Sequence, residues 1–530
     1  MTGAVAHNLL TVDLEDYFQV ETLAGVIPAR YWPRLERRLD ETVRRWLALL
    51  GTSEATATFF ASDWVAREHP GIVREIADAG HEVAVLGLFE ARDVQTNLRL
   101  FNAEIAATRS ALEQITGVHV TGFRLARGAM SSAMLKAVKS AGFGYDASHH
   151  DNGATAPKGL QYVAPAATHM AGMPVTALWQ HAPERLAPTV MGMTTWGARA
   201  RRFPASVLDP DQPRITALPR VRQALHYREL TRAADRVAAH LEQRSGVSIA
   251  HGLGLSLPVV TPAVPTAELT AEVPAANPHD ASRPSISLVV PCYNEALSLI
   301  YLANTLARFE AGPAAGYEIQ YVFVDDGSSD ATFARLHDLF GARANAQIVR
   351  HQQNRGVAAA TLTGIKHANT EMVGVIDCDC SYDPAEVVRM IPLLESGTAL
   401  VTASPYHPQG HVVNVPAWRL WLSRRLSQLY RVALRTPLHT YTACVRLYRK
   451  SAVDGLTIRH ENYLGIAEIL ARLDQKGARI VESPATLEAR ILGHSKMKIV
   501  KTSIGHIGLL GELLLARSRV GSKKTVGVRT

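Results

Sequence analysis

Two hydrophobic periods alternate along the first 250 residues. Short apolar runs at 8–12, 55–61 and 82–86 read as strands, and apolar spacing near 3.6 residues at 34–50, 70–79 and 97–116 reads as helices. The alternation returns with strand runs at 286–291, 319–324, 346–349 and 372–376, and helical stretches lie between them. Strands and helices in such alternation build parallel sheets, either closed as a barrel or open and doubly wound. The pattern therefore predicts an α/β fold twice over. Between the two patterned regions, residues 257–284 are rich in Pro, Ala and Thr and show neither period, as a semi-extended linker would. The expected organisation is a unit at 1–250, a linker at 251–284, a second unit at 285–515 and a basic tail at 516–530.

Composition narrows the class. With 530 residues, 47% hydrophobic and 20% charged, the chain cannot be wholly disordered and is long enough for two or three domains. Its four cysteines, Cys292, Cys378, Cys380 and Cys444, are too sparse for a disulfide scaffold and fit a reducing, cytoplasmic compartment. The first residues carry neither a charged n-region nor a sustained apolar stretch, so no signal peptide is expected. No window reaches the roughly 18–20 apolar residues of a spanning helix. Residues 504–516, IGHIGLLGELLLA, are too short to span. With Arg517, Arg519, Lys523, Lys524 and Arg529 following, they suit either a peripheral contact on the inner face of a membrane or an amphipathic packing helix with a solvated tail. A net charge of +8 suits a phosphate, a nucleotide or an anionic surface.

Chemistry gathers where the strands of the second unit end. The first stops at Pro291-Cys292-Tyr293-Asn294-Glu295, the second at Asp325-Asp326-Gly327-Ser328, the fourth at Asp377-Cys378-Asp379. In an open parallel sheet the carboxyl ends of the strands form the ligand crevice. Converging carboxylates repel unless a cation or a donor-rich ligand sits among them. An Asp-x-Asp pair after a buried strand can hold Mg²⁺ or Mn²⁺ that also binds a diphosphate. Each cluster alone reads as a capped turn; the ordered set of three does not.

The runs VVPCYNE, VFVDDGSSD, NRGVAAATLTGIKHA and VIDCDCSYDP together resemble the family 2 glycosyltransferases of GT-A fold, specifically the polyprenyl- or dolichol-phosphate sugar transferases. The resemblance covers 285–515 and continues through 442–449, 462–468 and 490–497. It implies a Rossmann-like nucleotide-sugar-binding domain that transfers a sugar to a lipid-phosphate or glycan acceptor. Pro291, Tyr293 and Glu295 would hold base and ribose, and Asp325 would contact the nucleoside. Asp377 and Asp379 would hold the metal and the donor diphosphate, with Asp379 catalytic. Arg446, Arg449, Arg490 and Lys496 would neutralise the diphosphate or an acceptor phosphate. Cations placed beside such motifs point away from nucleic acid. For a hydroxyl acceptor Glu468 is the candidate base and Glu461 its competitor; a lipid phosphate is already ionised and needs none. Cys378 and Cys380 are small residues beside the ligands, since a zinc site would need partners that the chain does not offer. Residues 412–438 mix Trp418, Trp421 and Tyr430 with Arg419, Arg424, Arg425, Arg431 and Arg435, which suits a membrane interface or a helix over the active site. His407 and His411, four apart, lie among Pro405, Pro408 and Gly410 and read as a loop.

The first unit resembles the polysaccharide deacetylases through LTVDLEDYF at 10–18, ATFF at 57–60, the stretch 70–82, GFR at 122–124 and DPDQP at 209–213. That family forms a distorted (β/α) barrel and removes acetyl groups with a metal-bound water held by an Asp and two His. Here Leu86 and Glu90 stand where the two histidines are needed, Arg124-Leu125-Ala126 replaces Arg-x-Pro, and Pro204 stands for the late histidine. Leucine cannot ligate, and one Glu with one Asp makes a weak site. Asp13, Glu15 and Asp16 persist; His81, His149 and His150 lack ligand-equivalent spacing. The reading is a non-catalytic domain, with a residual N-deacetylase or a glycan-holding scaffold as the alternatives.

Overall fold

The computed structural model describes residues 9–20, 23, 27–52, 55–88, 97–150, 154–163, 283–492 and 504–515, plus the backbone of short strands at 169–170, 173–174 and 200–204. The chain folds as two compact units, each taken by itself below. The proposed linker at 251–284, apart from its last two residues, and the tail at 516–530 lie outside the described residues.

In the first unit the strands are β1 Leu9–Asp13, β2 Thr58–Ala61, β3 Glu82–Gly87, β4 Gly122–Leu125, β5 Tyr145–Asp146 and β6 Gln161–Tyr162. They are followed by the antiparallel pair β7 His169–Met170 and β8 Met173–Pro174, and by β9 Ala200–Pro204. Seven of them form one all-parallel sheet in the order β6-β5-β4-β3-β2-β1-β9, a half-barrel with the outline the resemblance implies. β2 and β3 are buried at every position, which is why their sequences read as unbroken apolar runs rather than as alternation. The helices cover the sheet with one stripe each. On α1 (Leu39–Thr52) the buried residues Leu39, Val43, Trp46 and Leu50 recur at steps of four, three and four. The helix Leu98–Thr116 repeats that spacing with Phe101, Ile105, Thr108 and Leu112; Asn97 caps its start and Gly117, at φ 69°, ends it.

The second unit is built on β10 Ser285–Cys292, β11 Glu318–Asp325, β12 Ala346–Arg350, β13 Met372–Val375, β14 Thr398–Ser404, β15 His411–Val413, β16 Arg446–Arg449, β17 Arg479–Pro484 and β18 Thr486–Glu488. The main sheet runs β12-β11-β10-β13-β16-β14-β17, with β16 antiparallel to both neighbours and all other pairs parallel. Strand order reverses between β10 and β13, the switch point at which open α/β sheets leave a crevice. The central helix Tyr463–Gln475 is buried almost all round, and its Ile466, Ile469, Leu470 and Leu473 pack with Val289, Val324 and Val375 of the sheet.

Two outer helices belong to this unit. Ala417–Ala433 buries Tyr430 and Ala433 while Trp418, Trp421, Leu429 and Val432 stay exposed. Residues 504–515 form a helix that buries Leu509, Leu510 and Leu513 and exposes Ile504, Ile507, Leu514 and Leu515. The Tyr430 hydroxyl lies 2.7 Å from His506 Nδ1 and joins the two helices. The packing reading thus holds for one face of the helix at 504–515, and the other face points outward. Among the described residues no helix is long and apolar enough to cross a membrane.

Candidate functional site

Strand ends and the turns after them build the crevice. Asn294 takes up a left-handed conformation at φ 53°. Its side-chain oxygen accepts the backbone N–H groups of Ser329 (2.8 Å) and Asp330 (3.3 Å), and its own N–H donates to Ser328 Oγ (2.9 Å). The turns after β10 and β11 are therefore tied to each other. Asp325 is fully buried at the end of β11, where it accepts Ser328 N–H (3.2 Å) and pairs with Arg350 at 3.0 Å. Asp326 organises the next loop: it accepts from Asn354 Nδ2 (3.1 Å), Arg355 N (2.9 Å) and Gly356 N (2.7 Å), and lies 2.6 Å from His351 Nδ1. At Gly356 φ is 115°, and a Cβ would stand 2.5 Å from the Glu461 carbonyl oxygen, so only glycine fits. That carbonyl accepts the N–H groups of Ala358 and Ala359 and closes the start of the helix Val357–His367. The sequence shows Asp326 only as a member of the second acidic cluster; its place beside Asp325 is the sole signal of this role.

Across the switch point, Asp377 and Asp379 follow β13. Asp379 Oδ1 accepts the N–H (2.9 Å) and the hydroxyl (2.7 Å) of Ser381, which fixes the turn. Its Oδ2 accepts from Arg490 Nε at 2.5 Å, and Arg490 Nη1 donates to Glu295 Oε1 at 2.9 Å. Three residues 195 and 111 positions apart in sequence thus meet in one bridge. Burial opposes the charge on Arg490, yet the carboxylates of Asp379 and Glu295 hold its guanidinium firmly protonated. Burial, and then the charge of Asp379, push the Asp377 carboxyl up to about 7. This is the electrostatic strain that a divalent cation relieves. Among the described residues no group of three or more His, Cys, Asp or Glu side chains forms a ready-made metal cage. Two carboxylates with open positions left for water and phosphate oxygens are what Mg²⁺ or Mn²⁺ takes up, so the residues present fit such an ion.

The corresponding corner of the first unit is closed. Asp13 Oδ1 accepts from Arg124 Nη1 at 2.7 Å, both side chains being buried, and the Arg124 guanidinium lies 4.0 Å from the centre of the Phe60 ring. Asp16 accepts the N–H groups of Arg38 and Leu39 and so fixes the entry to α1; burial pushes its carboxyl up to about 6. Leu86 packs in an apolar cluster with Phe60, Ala84, Ala126, Tyr145, Ala147 and Val163. Pro204 is paired with Asp13 in the sheet. Glu90 and Asp209 lie outside the described residues.

Comparison with known proteins follows this division. The Polysaccharide deacetylase family model matches residues 35–145, and the Glycosyl transferase family 2 model matches residues 287–457. The polyprenol monophosphomannose synthase of Mycolicibacterium smegmatis is 30% identical over 217 residues, which are 40% of this chain and 80% of that protein. The chain belongs to glycosyltransferase family 2. The dolichol-phosphate mannosyltransferase of Pyrococcus furiosus is 28% identical over 219 residues, which are 40% of this chain; the chain spans 59% of that relative's length. Among solved structures, the glucosyl-3-phosphoglycerate synthase of Mycobacterium tuberculosis is similar at a TM-score of 0.34 and 19% identity, over 44% of this chain and 81% of that one.

Not every residue expected to serve this family 2 site is brought to the crevice. Arg446 is fully buried, and its guanidinium donates to the carbonyl oxygens of Ile466 (2.6 Å) and Tyr441 (2.8 Å); it fixes the core instead of meeting a diphosphate. Arg449 is in register with Met372, at the opposite end of β13 from the crevice, and donates to the carbonyl oxygens of Leu394, Glu395 and Thr398. The reason in both cases is β16, whose antiparallel course no local pattern announces. Glu468 is buried with its oxygens occupied by Arg459 N, His460 N, the His460 ring and Arg472. Burial works against its charge, but Arg472 and His460 keep the carboxyl below its ordinary range, so it clamps a turn and is not poised as a base. Glu461 is half-buried and paired with Arg355 at 2.5 Å. Lys496 lies outside the described residues. Positions 405–410, His407 among them, form the expected loop, but His411 does not belong to it: it opens β15 and pairs with Thr486.

Proposed function

We propose that the second unit transfers a sugar from a nucleotide-sugar donor to a lipid phosphate. The observation that carries this reading is the Asp377–Asp379 pair at the switch point, linked through Arg490 to Glu295 on the facing strand end. In this reading Pro291, Tyr293, Glu295 and Asp325 hold the nucleoside, and Asp377 and Asp379 hold Mg²⁺ or Mn²⁺. The bound ion would act as a Lewis acid toward the leaving diphosphate. Arg490, already in the crevice, turns from Asp379 toward the diphosphate when the donor enters and keeps a positive charge beside the leaving group.

Two observations favour a lipid phosphate over a hydroxyl acceptor. The expected base, Glu468, is fully engaged elsewhere, and an ionised phosphate needs none. The helix Ala417–Ala433 exposes Trp418 and Trp421 among Arg419, Arg424 and Arg425, and Arg424 stands 5.4 Å from the centre of the Tyr406 ring. Such a face suits the inner surface of an anionic membrane, on which the chain would sit peripherally. Relatives whose names specify dolichol-phosphate, polyprenol-phosphate and undecaprenyl-phosphate transfer agree with this acceptor class. A screen of nucleotide sugars with Mn²⁺, with and without a polyprenyl phosphate, tests it. One nucleotide sugar should be consumed with release of its nucleoside diphosphate, and lipid should stimulate the release. Consumption of none, or stimulation by free glycans only, overturns the reading.

The first unit is read as non-hydrolytic, supported by Leu86 in the apolar cluster and by Asp13 in the Arg124 pair. The full-length chain should release no acetate from N-acetylated amino sugars with any of Zn²⁺, Co²⁺ or Mn²⁺ added. Catalytic release that Asp13→Ala abolishes would restore the deacetylase assignment.

A further inference from the structure

Cys292 and Cys378 meet where the strand order of the second sheet reverses. β10 and β13 are parallel neighbours whose last aligned pair is Val289 with Val375, and each cysteine lies three residues beyond it. The two sulfur atoms are 3.5 Å apart, both side chains are buried, and both are free thiols. The remaining cysteines turn elsewhere, Cys380 toward Thr305 and Cys444 toward Asp377.

We propose that Cys292 and Cys378 are an oxidisable dithiol, a modification site whose disulfide switches the crevice off. The site stands on the thiol geometry alone; its effect on turnover rests on the donor-site reading above. With hydrogen peroxide as oxidant, one thiol becomes a sulfenic acid and releases one water as the O–O bond breaks. The second thiol then displaces the sulfenic hydroxyl, forming the S–S bond and releasing a second water. Two S–H bonds are lost, the two sulfurs give up two electrons, and the peroxide takes both electrons and both protons.

Closing the contact from 3.5 Å to a bond of about 2.05 Å moves the sulfurs together by roughly 1.4 Å. Cys292 lies between Pro291 and Tyr293, and Cys378 between Asp377 and Asp379. The contraction therefore pulls on the end of β10 and on the turn after β13, the two segments that the donor reading uses, and a misplacement of about 1 Å in a reacting geometry can cost about a hundredfold in rate.

The test treats the full-length chain with hydrogen peroxide and reads bond and activity separately. The intact mass should fall by about 2 Da as two hydrogens leave, and digestion after alkylation should yield a peptide pair joined through Cys292 and Cys378. Nucleotide-sugar turnover should drop at least about tenfold and recover in dithiothreitol. Cys292→Ser and Cys292→Ala, which leave the donor contacts in place, should keep their basal turnover through the same treatment. Free thiols, a sulfinic acid, another cysteine pair, or equal loss in both variants would overturn the proposal. A joined peptide in a chain that turns over no nucleotide sugar before oxidation would instead count against the donor reading and leave the dithiol standing.

Discussion

Asp379→Ala is expected to take sugar transfer below detection, a loss of at least roughly 10³-fold. The magnitude follows from how much depends on this carboxylate. One oxygen fixes the turn through Ser381, the other holds Arg490 at 2.5 Å, and the pair with Asp377 is the proposed seat of the cation. Asp379→Asn separates these roles, because the amide oxygen can still accept from Ser381 while the charge is gone. The Asn variant should therefore remain folded, with an unchanged thermal midpoint, yet be nearly as inactive as the Ala variant. In the same variant Asp377 should titrate below its present value of about 7, since the Asp379 charge is, after burial, the next largest of the causes of its elevation. In the unaltered chain, cation affinity should weaken as pH falls through about 7, where a proton competes for Asp377. Turnover of Asp379→Asn within a few fold of the unaltered chain would sink the cation site.

The parts of this crevice that were legible in the sequence are those that follow parallel strands. A buried strand announces itself as an apolar run, and the residues just after it must face the crevice. That logic places Glu295, Asp325, Asp377 and Asp379 at the crevice from the sequence alone. It fails where topology breaks the parallel rule. The run containing Arg446 and Arg449 is an inserted antiparallel strand, so its two arginines serve the core and the end of the sheet away from the crevice. Glu468 misled for a related reason. A carboxylate in an apolar helical stretch stands out as functional, but on a helix buried all round it must be neutralised in place, and Arg472 one turn later does so. In the first unit the substitution that matters was visible as a single letter, Leu86; only the packing shows that its surroundings have become apolar as well.

Arg446→Ala is expected to be the most destabilising single change in the second unit, at about 3–5 kcal/mol. The guanidinium fills space in the core and satisfies the carbonyls of Ile466 and Tyr441, which join the central helix to the loop before β16. Truncation leaves a cavity and two buried acceptors without their donor, each costing about 1–3 kcal/mol. Lysine should not restore stability, because one ammonium cannot span two carbonyls as a planar fork does. Urea unfolding followed through a probe in the second unit reads the loss. Steady-state kinetics on the fraction that stays folded at low temperature then separates the core role from the diphosphate role. A core arginine leaves the donor KM within a few fold and lowers the unfolding midpoint. An arginine that binds diphosphate does the reverse, and unchanged stability with a sharply raised donor KM would return Arg446 to the crevice.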